Sequence, residues 1–401
     1  MVTLICVLRN LFPYKGFKFS VLESGLSVVI GLKSRRKTGT CPNCKKRSKC
    51  IESVYEREIR DLDLAGKKCF LQFVQKKIQC SCGYRGLEQI EFVSKLRRVT
   101  KRMETYVVSL YQRMSIHDVS IVTGLDWKTI KNIDREYIKS TLPDVSKLNI
   151  RRIAIDEIAI MKGHKYFTII RDYDTGLAIK ILFGRGYAET AKALDGLGKE
   201  RLEKIGYVSL DMWDPYIKAI TEKCPNAKLV FDKFHVVKKV NEALDKVRKN
   251  EFNSADKEER INMKHKRFVI LRREHNLDDN QREELKTLMQ ANSKLYKAYL
   301  LKEQILSIFD DKTSSFEQIN GRILSWFENI LSNGMEEFYG VVNTMKSYLD
   351  GILNYFRYGM TNAIAEGFNT KINVIKRRAY GFSDIEYFML KIYQSSMQRL
   401  S

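Results

Sequence analysis

Proline is scarce in this chain, five in 401 residues and none clustered, which argues against a linker-rich disordered protein and for long helices. Apolar runs are short. None approaches the roughly 18 residues that span a bilayer, and no long basic amphipathic helix offers a lipid-ready aromatic face. The N-terminal stretch lacks a basic leader, is interrupted by Arg9 and shows no small-residue cleavage site, so it reads as retained sequence of a cytoplasmic protein. Acidic residues are in deficit: 48 Asp and Glu face 71 Lys and Arg, a formal charge of +23 spread over every region. Folded domains this basic meet phosphate.

Cysteine is present but not as a disulfide framework. Four of eight form two close pairs, Cys41/Cys44 and Cys80/Cys82. Cys41-Pro-Asn-Cys44 is a knuckle that turns two thiolates toward one ion, and Cys80-Ser-Cys82 offers two more, enough for a closed tetrahedral zinc site of structural type. Its second pair is one residue tighter than C-x-x-C, and Cys50 and Cys69 remain as substitutes. The pairs bracket a small β-rich module, with alternation from Phe17 to Leu32 and from Lys68 to Ile78.

Helical periodicity follows from 95 to 140 and breaks at Thr123-Gly124, the pattern of a helix-turn-helix. On its second helix Lys128, Lys131, Arg135 and Lys139 recur opposite Ile130, Ile133 and Tyr137, a basic face for a major groove or its phosphates. Residues 150 to 250 then alternate. Three strands are predicted at 153–160, 166–171 and 177–183, a helix at 188–205, a strand at 207–210, a helix at 215–223, and a strand at 228–231 leading into a long helix. This is the order of a ribonuclease H-like α/β core. A helical, proline-free block from 254 to 358 reads as an all-α insertion.

Carboxylates mark the chemistry. Asp156 interrupts an apolar strand, where an unpaired charge is costly. Asp211 ends the next strand but two, at the edge where α/β sheets carry their sites. Glu366 lies on a helix whose polar stripe is Asn362, Glu366, Asn369 and Asn373, backed by Ile364, Phe368, Ile372 and Ile375 and followed by Lys371, Lys376, Arg377 and Arg378, cations that suit DNA. Three such acids form the hard oxygen cage that holds two Mg²⁺ (or Mn²⁺) ions for attack on a phosphodiester. Glu157, Asp214 and Asp232 compete for these roles. Glu157 points to the other strand face and Asp214 falls in a helix's first turn, whereas Asp232 and His235, three residues apart, are placed to line the same cleft in support.

Together Ile155-Asp-Glu with Lys162-Gly-His-Lys-Tyr166, Ser209-Leu-Asp-Met-Trp-Asp-Pro-Tyr216, Phe231-Asp-Lys-Phe-His235 and Thr361-Asn-Ala-Ile-Ala-Glu-Gly-Phe-Asn369 with Lys376-Arg-Arg-Ala-Tyr-Gly-Phe382 carry a resemblance. Over nearly its whole length the chain resembles the insertion-sequence DDE transposases of the ISL-three type. The resemblance implies a zinc-binding domain over 1–93, a helix-turn-helix over 94–147, and a catalytic core over 148–253 and 359–401 split by the insertion at 254–358. It implies the triad Asp156, Asp211 and Glu366, binding of terminal inverted repeats, Mg-dependent cleavage and strand transfer to target DNA by a homodimer or larger assembly, and nucleoid association in a bacterial-type cytoplasm. A non-catalytic DNA-binding regulator and a structure-specific nuclease without strand transfer are the alternatives.

Overall fold

The computed structural model describes residues 4–94, 97–161, 165–361, 363–379 and 381–397. The chain divides into two compact units, Met1–Thr141 with Arg377–Phe382, and Leu142–Lys376 with Ser383–Ser401.

In the first unit, helix α1 (Leu4–Leu11) precedes strands β1 (Phe17–Ser24), β2 (Ser27–Ser34), β3 (Gly39–Thr40), β4 (Arg47–Ser48), β5 (Ile51–Leu64), β6 (Lys67–Gln79) and β7 (Arg85–Leu87). The main sheet runs β1-β2-β6-β5 with β7 against β6, while β3 and β4 form a small separate hairpin. β2 and β6 are parallel; β1–β2 and β5–β6 are antiparallel. Leu8 and Phe12 pack with Ile30, Ile59, Leu71 and Phe73 beneath this sheet, and Tyr14 stacks on Phe92 at 4.2 Å. Sequence alternation identified the two arms around β1–β2 and β6 but gave no sign of β5. Its 14 residues include seven charges, and it is held by its register on β6, Ile59 opposite Leu71 and Arg57 opposite Phe73. Cross-strand pairing decides a strand whose own composition is not strand-like.

Three helices follow, α2 (Lys101–Tyr111), α3 (Ile116–Thr123) and α4 (Trp127–Thr141). Thr100 caps α2 by accepting from the Met103 N–H, and Ser115 with Asp118 forms a reciprocal capping box on α3. Gly124 ends α3 at φ 65°, a left-handed conformation that a glycine adopts without Cβ strain. Val107, Val119, Ile130, Ile133 and Ile138 are buried. Tyr137, expected on the buried side of α4, is instead exposed. The inward stripe follows i+4 steps from Ile130 through Asp134 to Ile138, leaving Tyr137 rotated toward solvent.

Buried Asp61 ties sheet to helices. Its Oδ1 accepts from Thr100 Oγ1 at 2.7 Å, Arg102 Nε at 2.7 Å and the Leu62 N–H at 2.9 Å, and Arg102 Nη2 reaches its Oδ2 at 2.5 Å. Arg102 also donates to the Leu11 carbonyl at 2.6 Å and lies over the Phe12 ring at 4.8 Å. One guanidinium thus joins β5, α2 and the end of α1.

In the second unit strands β8 (Arg152–Met161), β9 (Lys165–Asp172), β10 (Ala178–Phe183), β11 (Tyr207–Leu210) and β12 (Lys228–Phe231) assemble in the order β10-β9-β8-β11-β12. The first three form an antiparallel meander; β11 runs parallel to both β8 and β12. Connecting helices are α5 (Tyr187–Asp195), α6 (Lys199–Lys204), α7 (Asp214–Lys223) and α8 (Lys233–Ser254). The single helix expected over 188–205 is two, because Gly196 and Gly198 interrupt it. The insertion comprises α9 (Lys257–Met263), α10 (Arg267–Leu271), α11 (Asp279–Ala291), α12 (Ser293–Asp310), α13 (Phe316–Ser332), α14 (Tyr339–Ser347) and α15 (Leu349–Tyr358), and α16 (Ala363–Arg378) and α17 (Ile385–Met397) complete the chain.

Strand alternation sends Thr168 to a hydrogen bond with Tyr216 of α7 at 2.6 Å and Phe167 to Phe388 of α17 at 5.5 Å, so α7 and α17 cover opposite sheet faces. This five-stranded 3-2-1-4-5 order, helices on both faces, is the ribonuclease H-like arrangement. Among the described residues no helix is long and apolar enough to cross a membrane.

Removing Arg102 strands the Asp61 charge in the interior. Arg102→Leu is expected to destabilise the first unit by about 3 kcal/mol, with much of the loss recovered in Asp61→Asn/Arg102→Leu, as measured by denaturant unfolding.

Candidate active site and metal centres

The pairing of β11 on β8 fixes the first two acids. Tyr207 lies opposite Arg152, Val208 opposite Ile153 and Ser209 opposite Ala154, and continuing the same register by two residues sets Asp211 beside Asp156. The parallel β11–β12 pair, Leu210 opposite Phe231, sets Asp232 next in the row. Three carboxylates thus align across neighbouring strands, each in a different environment.

Asp156 Oδ1 accepts its neighbour's backbone N–H (Glu157) at 2.8 Å, and Oδ2 accepts Asn369 Nδ2 from α16 at 2.7 Å. Burial, then the adjacent Asp211 charge, pushes the Asp156 carboxyl up to about 6 despite these hydrogen bonds. Asp211 Oδ1 lies 2.5 Å from His235 Nε2. Burial alone would lower the His235 value, but contact with Asp211 and the fields of Asp156 and Asp232 raise it. Buried Asp232 is the N-cap of α8 and accepts the Phe234 N–H at 3.1 Å. Its carboxylate is therefore engaged in ending β12 and starting the helix that carries His235.

Glu366 is exposed in the first turn of α16, three residues before Asn369 and so on the same side of that helix. Phe368 and Ile372 of the opposite stripe are buried, and Arg171 lies over the Phe368 ring at 4.6 Å. Asn362 and the motif residues 162–164 lie outside the described residues. Of the competing acids, Glu157 pairs with Arg185 at 3.2 Å, and Asp214, at the start of α7, accepts from the Tyr348 hydroxyl.

The cysteine pairs converge in the first unit. One sulfur from each of Cys41, Cys44, Cys80 and Cys82 falls within 4.8 Å of every other, with Cys41 to Cys82 at 3.7 Å and Cys44 to Cys80 at 3.5 Å. A tetrahedral Zn²⁺ with bonds of about 2.3 Å needs sulfur separations of roughly 3.8 Å, so this set fits zinc. The tighter second pair closes because Gly83, at φ 85°, turns the chain so that its N–H meets the Cys80 carbonyl at 3.0 Å. The Tyr84 backbone N–H pulls the Cys82 thiol down to about 6, toward the ligating thiolate. Cys69 is buried in β6 and Cys50 is exposed; neither belongs to the cluster.

The basic residues separate into groups. Lys128 and Lys139 of α4 are exposed, while Lys131 and Arg135 are half-buried and engaged within the protein. Lys371, expected to face DNA, is drawn to the Ser395 carbonyl at 3.0 Å and joins α16 to α17, since a helix packed on a neighbour turns one side of its charged face inward. Lys376 Nζ lies 3.4 Å from the Ala159 carbonyl, Arg377 is exposed, and Arg378 donates to the Gln112 carbonyl at 3.1 Å. Sequence reasoning did not find Arg185, whose guanidinium carbon lies 4.4 Å from the centre of the Tyr166 ring and 4.7 Å from that of Trp213. No spacing rule connects positions 166, 185 and 213.

A ribonuclease H-like core bearing acids on adjacent strands, in a chain that also holds a four-cysteine zinc ribbon and a helix-turn-helix, defines a DNA-processing enzyme. Family profiles agree: one described as transposase matches residues 153–392, one for the zinc finger of the IS204/IS1001/IS1096/IS1165 transposases matches 37–82, and one for the helix-turn-helix domain of transposase family ISL3 matches 88–138. The chain is similar to the transposase for insertion sequence element IS1001 of Bordetella parapertussis, 32% identical over 377 residues and 92% of each chain. It is also similar to the transposase for IS1557 of Mycobacterium tuberculosis (strain CDC 1551 / Oshkosh), 26% identical over 350 residues, 81% of this chain and 78% of that one. The chain belongs to the ISL3 family of transposases.

Two outcomes follow from these environments. Purified protein is expected to carry one zinc, lost in Cys41→Ser and retained in Cys50→Ser by elemental analysis. Asp156, about 6 folded against 3.8 for an ordinary aspartate, holds its proton more tightly in the native state. Its contribution to stability is full below about pH 4 and is lost as pH rises through 6, by up to about 3 kcal/mol. Asp156→Asn should therefore raise the melting temperature in magnesium-free buffer by several degrees at about pH 7.5, and by less at pH 5.

Proposed function

We propose that this transposase binds the terminal inverted repeats of its insertion sequence and performs strand cleavage and transfer through Asp156, Asp211 and Glu366. The observation that carries the reading is the β8–β11 register, which sets Asp211 beside Asp156, together with the Asn369 hydrogen bond that brings the Glu366 helix to the same carboxylate.

The residues fit hard divalent cations. Asp156 and Asp211 are oxygen donors, and burial, then the neighbouring Asp211 charge, raises the Asp156 carboxyl, a cost that added positive charge relieves. Mg²⁺ or Mn²⁺, two ions at such a site, would supply activation of the attacking oxygen and stabilisation of the leaving oxygen. The chain's own residues arrange the donors: Asn369 fixes the rotation of Asp156, and His235 holds Asp211 from the α8 side. Asp232 serves by starting α8 where His235 can reach. Glu366 enters from α16 as the third acid.

DNA is held by the exposed cations, Lys128 and Lys139 of α4 foremost, with Lys131, Arg135, Lys376, Arg377 and Arg378 adding to the field. Joining two element ends requires at least two copies of the chain, and the reaction takes place on the bacterial nucleoid, in the cytoplasm.

Asp211→Asn is expected to bind duplexes carrying an element end with affinity near that of the parent while losing strand cleavage by at least about 10³-fold; cleavage that persists would remove Asp211 from the chemistry. Replacing Lys128 and Lys139 with Gln should lower the slope of log binding constant against log salt by about 1.8, at about 0.9 for each lost phosphate contact.

A further inference from the structure

Trp213 is not explained by the fold. It is the N-cap of α7, a position where Ser, Thr, Asp or Asn supplies a hydrogen bond, and it supplies none. Nor is it core: the side chain is 38% exposed. Yet its ring is held rigidly. The indole N–H donates to the Arg185 carbonyl at 3.1 Å, and its backbone N–H meets the Asp211 carbonyl at 2.7 Å. One ring face is taken by the Arg185 guanidinium, 4.7 Å from the ring centre, which is itself fixed by the Tyr166 ring at 4.4 Å and by Glu157 at 3.2 Å.

Its backbone leads to the acidic row: Trp213 lies two residues beyond Asp211 and bonds to the Asp211 carbonyl, while Glu157, next to Asp156 in β8, anchors Arg185 from the other sheet face. A large, exposed, preoriented aromatic surface therefore stands beside the Asp211 end of that row. We propose that the outer face of Trp213 is a stacking platform for one unpaired nucleobase of the DNA strand next to the reacting phosphate; this rests on the catalytic reading given above.

The chemistry of the ligand follows from the surface. Bases inside a duplex have both faces covered by their neighbours, so only a base turned out of the stack has a face to give. An aromatic ring accepts any base, because each has a π face, and stacking is insensitive to sequence. Arg185 behind the ring attracts its π electrons and costs no ordering when the base arrives, since its partners already fix it. Trp213 is thus a substrate-binding residue that holds the strand open beside the acids rather than a participant in proton or metal chemistry.

The test uses full-length protein and forked duplexes cut from the DNA flanking the reading frame, with 2-aminopurine placed in turn at each nucleotide around the junction. Parent protein is expected to change the emission at one position by at least about twofold. Trp213→Ala should abolish that change, and Trp213→Phe, which keeps a ring face, should restore most of it. Unaltered thermal unfolding and unaltered binding of fully paired duplex would show that Trp213→Ala is folded. An emission change that survives in Trp213→Ala, or the absence of a change at every position in a parent protein that cleaves the same DNA, would overturn the platform while leaving the catalytic reading intact. A parent protein that binds DNA but does not cleave it in Mg²⁺ or Mn²⁺, yet shows the Trp213-dependent signal, would overturn the catalytic reading and keep the base site. If the parent binds none of these duplexes, both fail.

Discussion

The second unit depends on one strand pairing. β11 lies parallel to β8 in a register that sets Asp211 beside Asp156, and a shift of one residue would turn one of the two carboxylates to the other sheet face. That register is held by apolar side chains, Ile153, Ile155, Val208 and Leu210, all buried within the same core. The acids lie where this packing puts them, at a cost that the Asp156 carboxyl records in its raised proton affinity. Burial of Asp156, reinforced by the neighbouring Asp211 charge, destabilises the metal-free fold at the place that suits a divalent cation.

Around this conflict the neighbouring elements act as supports. Asn369 arrives from α16, 213 positions along the chain from Asp156, and His235 arrives from α8. Each contacts a different acid, so the two carboxylates are oriented independently. The all-α insertion leaves the sheet through α8 and returns along α15, where Asn354 donates to the Leu229 carbonyl of β12 at 2.9 Å and Tyr348 packs edge-on against Phe231 at 5.4 Å. Its interior even absorbs a lysine: Lys302 is fully buried, bonding to the Ile270 and Arg272 carbonyls at 3.2 and 2.7 Å and pairing with Glu303 at 2.8 Å. Burial lowers its proton affinity, and the partners make that burial tolerable.

The first unit solves a different problem. Its sheet is small and carries many charges, so its apolar core is supplemented by two polar fastenings, the four-cysteine cluster at one end and the Asp61–Arg102 pair at the junction with α2. Both join segments distant in sequence, and both draw their strength from groups that would be costly to leave unpaired. The zinc ribbon and the helix-turn-helix therefore share one framework.

Much of this was legible from residues alone. The alternation of β8, β9 and β10, the short apolar runs of β11 and β12, the Gly124 break and the paired cysteines are local patterns, and local patterns set by backbone sterics and side-chain periodicity survive in a linear reading. The candidates Asp156, Asp211 and His235 were visible because charge or imidazole interrupts or ends an apolar run, and Glu366 and Asn369 because they share one polar stripe on a helix. What the linear reading missed is what long-range contact decides: β5, a charged strand held by its partner; Tyr137, turned outward by a stripe that drifts around α4; Lys371, claimed by the Ser395 carbonyl; and the Arg185–Trp213 stack. In sequence, then, lie the elements, the family and the reactive residue types, because these follow from short-range geometry and chemistry. Which charged side chains face water and which face each other was settled only by tertiary packing, because that depends on distances between residues the chain itself keeps far apart.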